Sequence, residues 1–220
     1  MKRAITAEAA AALVTDGSSL MIGGFMGVGT PDRIIDALVA RGARNLTVIA
    51  NDTARPGVGI GKLIDAGCVT HVKASHIGTN PVTQKKMIEG EIKVDLIPQG
   101  TLVECIRAGG AGLGGVLTPT GVGTVVANGK QIIEVNGKQF LLELPLRAEF
   151  ALILAHTADY NRNLTYRLTA ANFNPLMAVA ADTVIAEPNE IVPTGVISPD
   201  HVRTPGVIVD HLIVRPRNGS

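Results

Sequence analysis

Aromatic residues are scarce in this sequence. Of its 220 residues two are Tyr, four are Phe and none is Trp, whereas hydrophobic residues amount to 46%. The core therefore has to be built from Val, Ile, Leu and Ala, a composition typical of a buried, largely parallel sheet. The shortage of rings also leaves few platforms on which nucleic-acid bases could stack.

An excess of charge of either sign is missing as well. The chain has 20 Lys and Arg against 19 Asp and Glu, a formal net charge of +1, and no basic block. Polyanions are attracted by clustered positive charge, which this sequence does not provide. We expect no nucleic-acid partner.

Cysteine is nearly absent. The two residues, Cys68 and Cys105, have neither metal-ligand spacing nor a secretory context, which favours reduced thiols in a cytoplasmic protein. We expect each to fill the core rather than to act as a nucleophile. No metal site and no permanently bound cofactor is predicted.

Long hydrophobic runs are missing too. The longest, such as residues 150–155, fall far short of the roughly 20 residues that span a bilayer. Residues 1–5 carry charge and lead into an amphipathic stretch rather than a continuous apolar one with a cleavage site. We expect a soluble protein with no signal peptide and no membrane partner.

What the sequence does contain is an alternation of short apolar strands and helices. Strands are predicted at 19–22, 46–50, 69–75 and 92–97, and helices at 7–14, 32–40, 60–66, 82–89 and 101–107. Thr6, Thr30-Pro31 and Asn80-Pro81 are typical helix starts. The alternation argues for a parallel sheet with flanking helices.

Residues 109–123 break this pattern with Gly, Thr and Pro. Short antiparallel strands are predicted at 124–126, 131–134 and 139–144, with Asn136-Gly137 as a hairpin turn; a strand at 149–155, a helix at 174–181 and a strand at 183–186 follow. The prediction is one α/β domain over 1–220, a mainly parallel open sheet with flanking helices, plus a small antiparallel β subdomain at about 110–148.

The glycine-rich turn after the first strand is the most informative segment. Gly23, Gly24, Gly27 and Gly29 precede a predicted helix, a place where backbone N–H groups and the positive helix end attract anions. It is neither a Rossmann fingerprint, which needs a third glycine, nor a P-loop, which needs Gly-Lys-Ser/Thr. The glycines alone leave open a tight turn without a ligand.

The stretch from Asp16 to Pro31 resembles the signature of the family I coenzyme A transferases. It reads Asp-Gly, two residues, three apolar residues, Gly-Gly-Phe, three residues, Gly, one residue and Pro. The resemblance extends to residues 51–53, 75–81, 98–102, 109–115, 118–124 and 172–174, nearly the whole chain. It is similar in particular to the α subunits of members that use acetate or acetoacetate.

The resemblance implies a ping-pong reaction. A glutamate attacks an acyl-CoA thioester, and a glutamyl-CoA intermediate then passes CoA to a second carboxylate. In the family that glutamate lies in a Ser-Glu-Asn-Gly motif of the β subunit, and the motif is missing from this sequence. The implied protein is a CoA-transferase α subunit that is active only with a β subunit, as an α2β2 heterotetramer, on short-chain acyl-CoA and carboxylates of the acetate, acetoacetate or butyrate type. The CoA thioester is then a substrate.

Site residues follow from the same resemblance. Gln99, at a helix start after a strand, is implied to stabilise the oxyanion at the thioester carbonyl. Gly109, Gly110 and Gly112 are predicted to line the acyl pocket or to form a flexible lid, and His76 to be structural. The CoA-binding segment is implied to be Gly23, Gly24, Phe25, Met26, Gly27, Val28 and Gly29.

Other activities remain open at this point. One is a 3-oxoacid or 3-oxoadipate CoA-transferase that uses succinyl-CoA, for which additional basic residues at the acyl pocket are expected. Another, from a different class, is a non-catalytic anion-binding or regulatory module, in keeping with the missing nucleophile. A sugar-phosphate isomerase on the same fold explains the glycine turn but not the long signature.

Overall fold

A computed structural model describes residues 4–215 as six α-helices and eleven strands. Residues 1–3, part of the segment on which the signal-peptide expectation rests, lie outside the described residues. The helices are α1 Ala7–Leu13, α2 Asp32–Arg41, α3 Ile60–Asp65, α4 Pro81–Ile88, α5 Gln99–Gly110 and α6 Asn174–Val179. Within residues 4–215, none of these helices combines the length and apolar character that crossing a membrane requires.

The strands form two sheets. They are β1 Ser19–Ile22, β2 Leu46–Asp52, β3 Val69–His76, β4 Lys93–Leu96, β5 Val116–Thr118, β6 Ile132–Val135, β7 Lys138–Glu143, β8 Ala148–Asp159, β9 Leu164–Thr165, β10 Ala181–Val192 and β11 His211–Leu212. The large sheet has the order β11-β10-β8-β1-β2-β3-β4, parallel throughout, with β9 antiparallel to β8. The mainly parallel α/β fold is therefore confirmed, and β1 lies at its centre.

Helices cover both faces of the large sheet. Leu20 and Ile22 of β1 belong to the core beneath α1, α2 and α3, whereas Met21 faces the opposite side with Ile106 of α5 and Met177 of α6. Successive side chains of a strand point to opposite faces, so a strand buried on both sides is apolar at every position. Each such side chain stabilises the fold by about 1.5–3 kcal/mol relative to its exposed state.

The small sheet is antiparallel, in the order β5-β7-β6. Its hairpin turns at Asn136 and Gly137, which both have positive φ (52° and 73°), as predicted for a two-residue turn. The strand predicted at 124–126 is wrong: Val125–Ala127 is a 3-10 helix, begun by Val126 N–H donating to the Thr124 side chain at 3.2 Å. The third strand is β5, which lies in the stretch predicted to be irregular.

Two helix ends differ from the prediction. Helix α5 continues to Gly110 instead of ending at 107, because Gly109 packs against the Leu146 carbonyl, which a Cβ would approach to 2.0 Å. Helix α2 has Pro31, not Thr30, as its N-cap. Its first amides are satisfied by a distant carboxylate described below.

Strands β8 and β10 are twelve residues long, far longer than the predicted 149–155 and 183–186. The two strands pair along almost their whole length. Polar and proline positions such as His156, Glu187 and Pro188 interrupt the apolar pattern and conceal the continuation. Strand β2 likewise extends past 50 to Asp52, helix α6 ends at Val179 instead of 181, and the other ends shift by one or two residues.

Candidate active site

A cleft of about 540 Å³ opens at the carboxyl ends of β2, β3 and β4, beside the loop that follows β1. Ligands of open parallel sheets bind at this edge. A cavity of similar size, about 560 Å³, lies between α1 and α2, but within residues 4–215 its lining includes none of the predicted site residues. The residues lining the first cleft are Phe25, Met26, Asn51, Asp52, Ser75, His76, Thr79 and Gln99.

Gln99, the first residue of α5, is held at the cleft by Asn51. Its Nε2 donates to Asn51 Oδ1 at 2.6 Å, and the Ser75 hydroxyl donates to the Asn51 carbonyl at 2.7 Å. A glutamine amide carries two N–H protons. Since the Gln99 side chain is exposed, the second proton is available to a ligand in the cleft.

Asp52 fastens Asn51 to the glycine turn. Its carboxylate accepts from Asn51 Nδ2 at 2.7 Å, from Ala54 N–H at 2.7 Å and from Met26 N–H at 3.0 Å. The residue is only 3% exposed. Among the cleft-lining residues within 4–215 it is the one carboxylate, and its oxygens are occupied by structural donors.

The glycine turn is a two-residue hairpin. Phe25 and Val28 exchange two backbone hydrogen bonds of 2.9 Å, and Met26 and Gly27 between them have φ of 53° and 88°. Such turns need two residues of positive φ, which explains Gly27. The glycine at 23 has a different cause, since a Cβ there would lie 1.8 Å from Asn174 Oδ1.

The turn does not offer the free N–H groups that the sequence suggested. The amides of Phe25 and Val28 bond each other, Met26 N–H is bound to Asp52, and those of Gly23 and Gly24 donate to the Leu152 carbonyl and to Asn172 Oδ1. The expectation of an exposed backbone nest is therefore wrong for these five amides. The assignment of Gly23–Gly29 to CoA stays a prediction, resting on the resemblance.

The start of α2 is also occupied. Arg33 N–H and Ile34 N–H donate to the Glu187 carboxylate at 3.2 and 3.0 Å, and the Arg33 guanidinium lies 3.1 Å from it. Burial raises the pKa of Glu187, while Arg33 and the two amides work in the opposite direction. The positive end of this helix is thus turned toward the protein's own carboxylate.

Gly109, Gly110 and Gly112 lie at the opposite end of α5 from Gln99. Over this helix of 12 residues the two ends are about 16 Å apart at 1.5 Å per residue. Gly110 packs against Val179, and Gly112 has φ of 69° just past the helix end. The structure gives these glycines packing and turn reasons and does not bring them to the cleft. Their pocket role stays a prediction.

Sequence reasoning gave no role to several side chains that line the cleft. His76 was treated as structural, yet it is exposed at the end of β3 beside Ser75. Asn51 and Asp52 end β2 in the same way. The missed signal is that polar residues at the ends of successive parallel strands meet at one sheet edge.

The cysteines are buried and unpaired, as predicted. Burial raises the pKa of the Cys105 thiol to about 11 and also raises that of Cys68. A protonated, buried thiol is a poor nucleophile. Among residues 4–215, no three His, Cys, Asp or Glu side chains are placed together so as to hold a metal ion.

Comparison with known proteins agrees with this architecture. The family model described as "Coenzyme A transferase" matches residues 4–215. The chain is 59% identical over 210 residues to the alpha chain of the acetate CoA-transferase of Escherichia coli K12, covering 96% of each. It is 50% identical over 201 residues to the alpha subunit of the acetoacetyl-CoA:acetate/butyrate CoA transferase of Clostridium acetobutylicum, covering 91% of this chain and 92% of that one.

One of the two chains of a 3-oxoadipate CoA-transferase from Pseudomonas putida is 43% identical over 202 residues, covering 91% of this chain and 87% of that one. In fold, the chain matches the crystal structure of an acyl-CoA transferase from Escherichia coli O157:H7 with a TM-score of 0.86 at 24% identity, over 97% of its own length. It spans 47% of that longer protein. The chain belongs to the coenzyme A transferase family.

Proposed function

We propose that this chain is the α subunit of a two-subunit transferase that moves CoA between a short-chain acyl-CoA and a short-chain carboxylate. The nucleophilic glutamate is supplied by a homologous β subunit. The observation that carries the proposal is the Gln99 amide, which Asn51 holds at 2.6 Å with one N–H free toward an open cleft. Relatives at 59% and 50% identity are themselves named alpha subunits.

Gln99 supplies what the reaction needs at the carbonyl. When a carboxylate attacks a thioester, the carbonyl oxygen becomes negatively charged, and an N–H already in position stabilises that charge by about 3 kcal/mol. The C–S bond then breaks, and CoA leaves as a thiolate. The thiolate attacks the new anhydride at the glutamyl carbonyl, which releases the donor's acid and forms the glutamyl-CoA thioester. The second carboxylate reverses these steps.

Carboxylates elsewhere in the chain support a divided site. Glu104 pairs with Arg107 at 3.0 Å, and Glu149 accepts from the backbone and hydroxyl of Ser19 at 2.7 and 3.1 Å. Glu134 is exposed on the β6–β7 hairpin. Together with the engaged Asp52, this leaves the cleft, as far as residues 4–215 line it, without a free carboxylate nucleophile. The β subunit, carrying the Ser-Glu-Asn-Gly motif, is proposed to provide it in an α2β2 assembly.

The lining of the cleft favours a monocarboxylate. Within the described residues it contains no Lys or Arg, whereas a succinyl group brings a second carboxylate that needs a cation or several donors. Acetate, acetoacetate and butyrate carry no such second group. The Pseudomonas putida relative keeps a 3-oxoacid or 3-oxoadipate activity as the second candidate.

Two further parts of the proposal concern the chain's surroundings. CoA enters and leaves as a substrate, and no cofactor is retained. Two buried thiols without a disulfide fit a reducing compartment, so the proposed location is the cytoplasm.

The test is acetyl-CoA formation from acetate and acetoacetyl-CoA by this chain, by its β partner, and by the two mixed. Activity is expected in the mixture alone and is expected to vanish when the glutamate of the partner's motif is changed to alanine. Activity in the isolated chain would place the nucleophile here. Exclusive use of succinyl-CoA in a donor and acceptor profile would select the second candidate, and inactivity with every pair would favour a non-catalytic module.

A further inference from the structure

A single side chain closes the base of the Phe25–Val28 turn. Asn172 Oδ1 accepts from Gly24 N–H at 3.1 Å, and Asn172 Nδ2 donates to the Val28 carbonyl at 3.0 Å. Gly24 precedes the turn and Val28 ends it. The amide therefore bonds both arms of the hairpin at once.

A second asparagine anchors the same place to the sheet. Asn174 is fully buried; its Nδ2 donates to the Gly29 carbonyl at 2.9 Å and its Oδ1 accepts from Leu154 N–H of β8 at 3.1 Å. The turn is thus tied through two amides to the segment 168–174 and to a central strand. Its position relative to the sheet is fixed.

Backbone strain gathers at this junction. Met26, Leu168 and Asn172 have φ of 53°, 50° and 23° although none is glycine. Such conformations cost on the order of 1–3 kcal/mol each and persist where the surroundings over-determine them, often at functional sites. Phe25 at the tip remains 49% exposed and lines the cleft.

The turn is also connected to the oxyanion donor. Met26 N–H is bound to the Asp52 carboxylate, Asp52 accepts from Asn51, and Asn51 accepts from Gln99. Each link is between 2.6 and 3.0 Å. A shift of the turn therefore moves the carboxylate on which the placement of the Gln99 amide depends.

We infer that Asn172 is a positioning residue for the reaction: by closing the base of the turn it sets Phe25 and Met26 at the rim of the cleft and, through Asp52 and Asn51, the Gln99 amide. The inference rests on the proposed function. Because a misplacement of about 1 Å can cost on the order of a hundredfold in rate, the effect falls on turnover more than on the Michaelis constant.

Two substitutions separate the amide from the backbone. Asn172→Asp retains the acceptor for Gly24 but loses the donor and sets a carboxylate oxygen against the Val28 carbonyl. Asn172→Gly removes the whole amide while relieving the positive φ. Asn45 is the matched control, since it is exposed at the amino end of β2 and also has a positive φ, 59°. Asn45→Asp and Asn45→Gly are expected to leave turnover unchanged.

The assay is turnover of the assembled enzyme, divided by the burst of CoA released in the first half-reaction, so that inactive molecules are not counted. Both Asn172 variants are expected to lose at least about tenfold in kcat with a smaller change in KM. Combined with Gln99→Ala, they are expected to add little further loss, because both act on one interaction.

Unchanged kcat in both variants, or losses that multiply fully with Gln99→Ala, would overturn the inference. If the unchanged chain gives no turnover with its β partner, the proposed function fails instead. The geometry is then still tested by limited chymotrypsin digestion: cleavage after Phe25 is expected to be faster in the Asn172 variants than in the Asn45 controls, and equal rates would count against the clamp.

Discussion

The side-chain amide of Gln99 donates to Oδ1 of Asn51 across 2.6 Å, joining the start of α5 to the end of β2. The two residues are 48 positions apart in the chain. Because Asn51 is itself held by Asp52 and Ser75, the donor is oriented before a substrate arrives. Donors fixed in advance are the ones that lower a barrier most.

Replacing Gln99 is the direct test of this arrangement. Gln99→Ala in the assembled enzyme is expected to lower kcat by about 10²–10³-fold, the usual cost of one oxyanion donor, with a smaller rise in KM. Gln99→Glu keeps the shape but has no N–H and adds negative charge, so it is expected to be at least as slow. Gln139→Ala, on the exposed outer hairpin, serves as control. Unchanged turnover in Gln99→Ala would remove the oxyanion role.

Gly109→Ala is predicted to destabilise the chain without altering substrate affinity. A Cβ at Gly109 would lie 2.0 Å from the Leu146 carbonyl, whereas one at Gly114 meets no atom within 4 Å. Overpacking of this kind costs about 1–3 kcal/mol, which lowers the melting temperature by about 2–4 °C per kcal/mol in a chain of this size. Thermal unfolding of the two alanine variants provides the comparison. A changed acyl-CoA KM in Gly114→Ala or Gly112→Ala, at unchanged stability, would support the predicted acyl pocket.

Both thiols are predicted to be inert in the folded protein. With the pKa of Cys105 raised to about 11, about one thiol in a thousand is ionised at pH 8, and Cys68 is buried too. An aromatic disulfide reagent is expected to modify neither within the time that it modifies both in denaturant. Rapid modification with loss of activity would contradict the assignment of both cysteines to the core.

Asp95 is predicted to make a small, acid-sensitive contribution to stability. Burial opposes its ionisation, but the hydrogen bond from His71 at 2.8 Å and the charges of His71, Lys93 and Lys73 lower its pKa. A lowered folded-state pKa stabilises the protein above the unfolded pKa of about 4 and loses that effect as pH falls through the folded value.

Denaturant unfolding at pH 6 and pH 3 checks the Asp95 prediction. Asp95→Asn is expected to be less stable than the parent by under about 1 kcal/mol at pH 6, because the pair is partly exposed. The difference is expected to shrink at pH 3. A difference that grows with acidity would show that the sign is wrong.

Local signals account for the parts of the fold that were predicted well. Thr6 and Asn80 cap their helices with their own side chains, and the apolar pattern of β1 needs no distant partner to be recognised. The end of α5 could not be predicted, because a glycine packed against Leu146 looks the same in sequence as a glycine that ends a helix. Strand β10 was cut short for a similar reason, since the partner that buries Glu187 is remote Arg33.

The site divides in the same way. Gln99 was assigned by resemblance, and its position at a helix start after a strand was visible in the pattern. The roles of Asn51 and Asp52 depend on which strands are neighbours. The bond from Gly24 to Asn172 joins residues 148 apart, a separation at which spacing carries no information about contact.

The central position of β1 also has a consequence for the order in which the protein is made. One edge of β1 pairs with β2, which follows directly, but the other pairs with β8, and Ser19 waits for Glu149, 130 residues later. At about 5–20 residues per second of synthesis, that edge stays open for on the order of ten seconds. An unpaired edge is a template for wrong pairing, so we expect the nascent half-sheet to be the stage at which this chain most needs protection from aggregation.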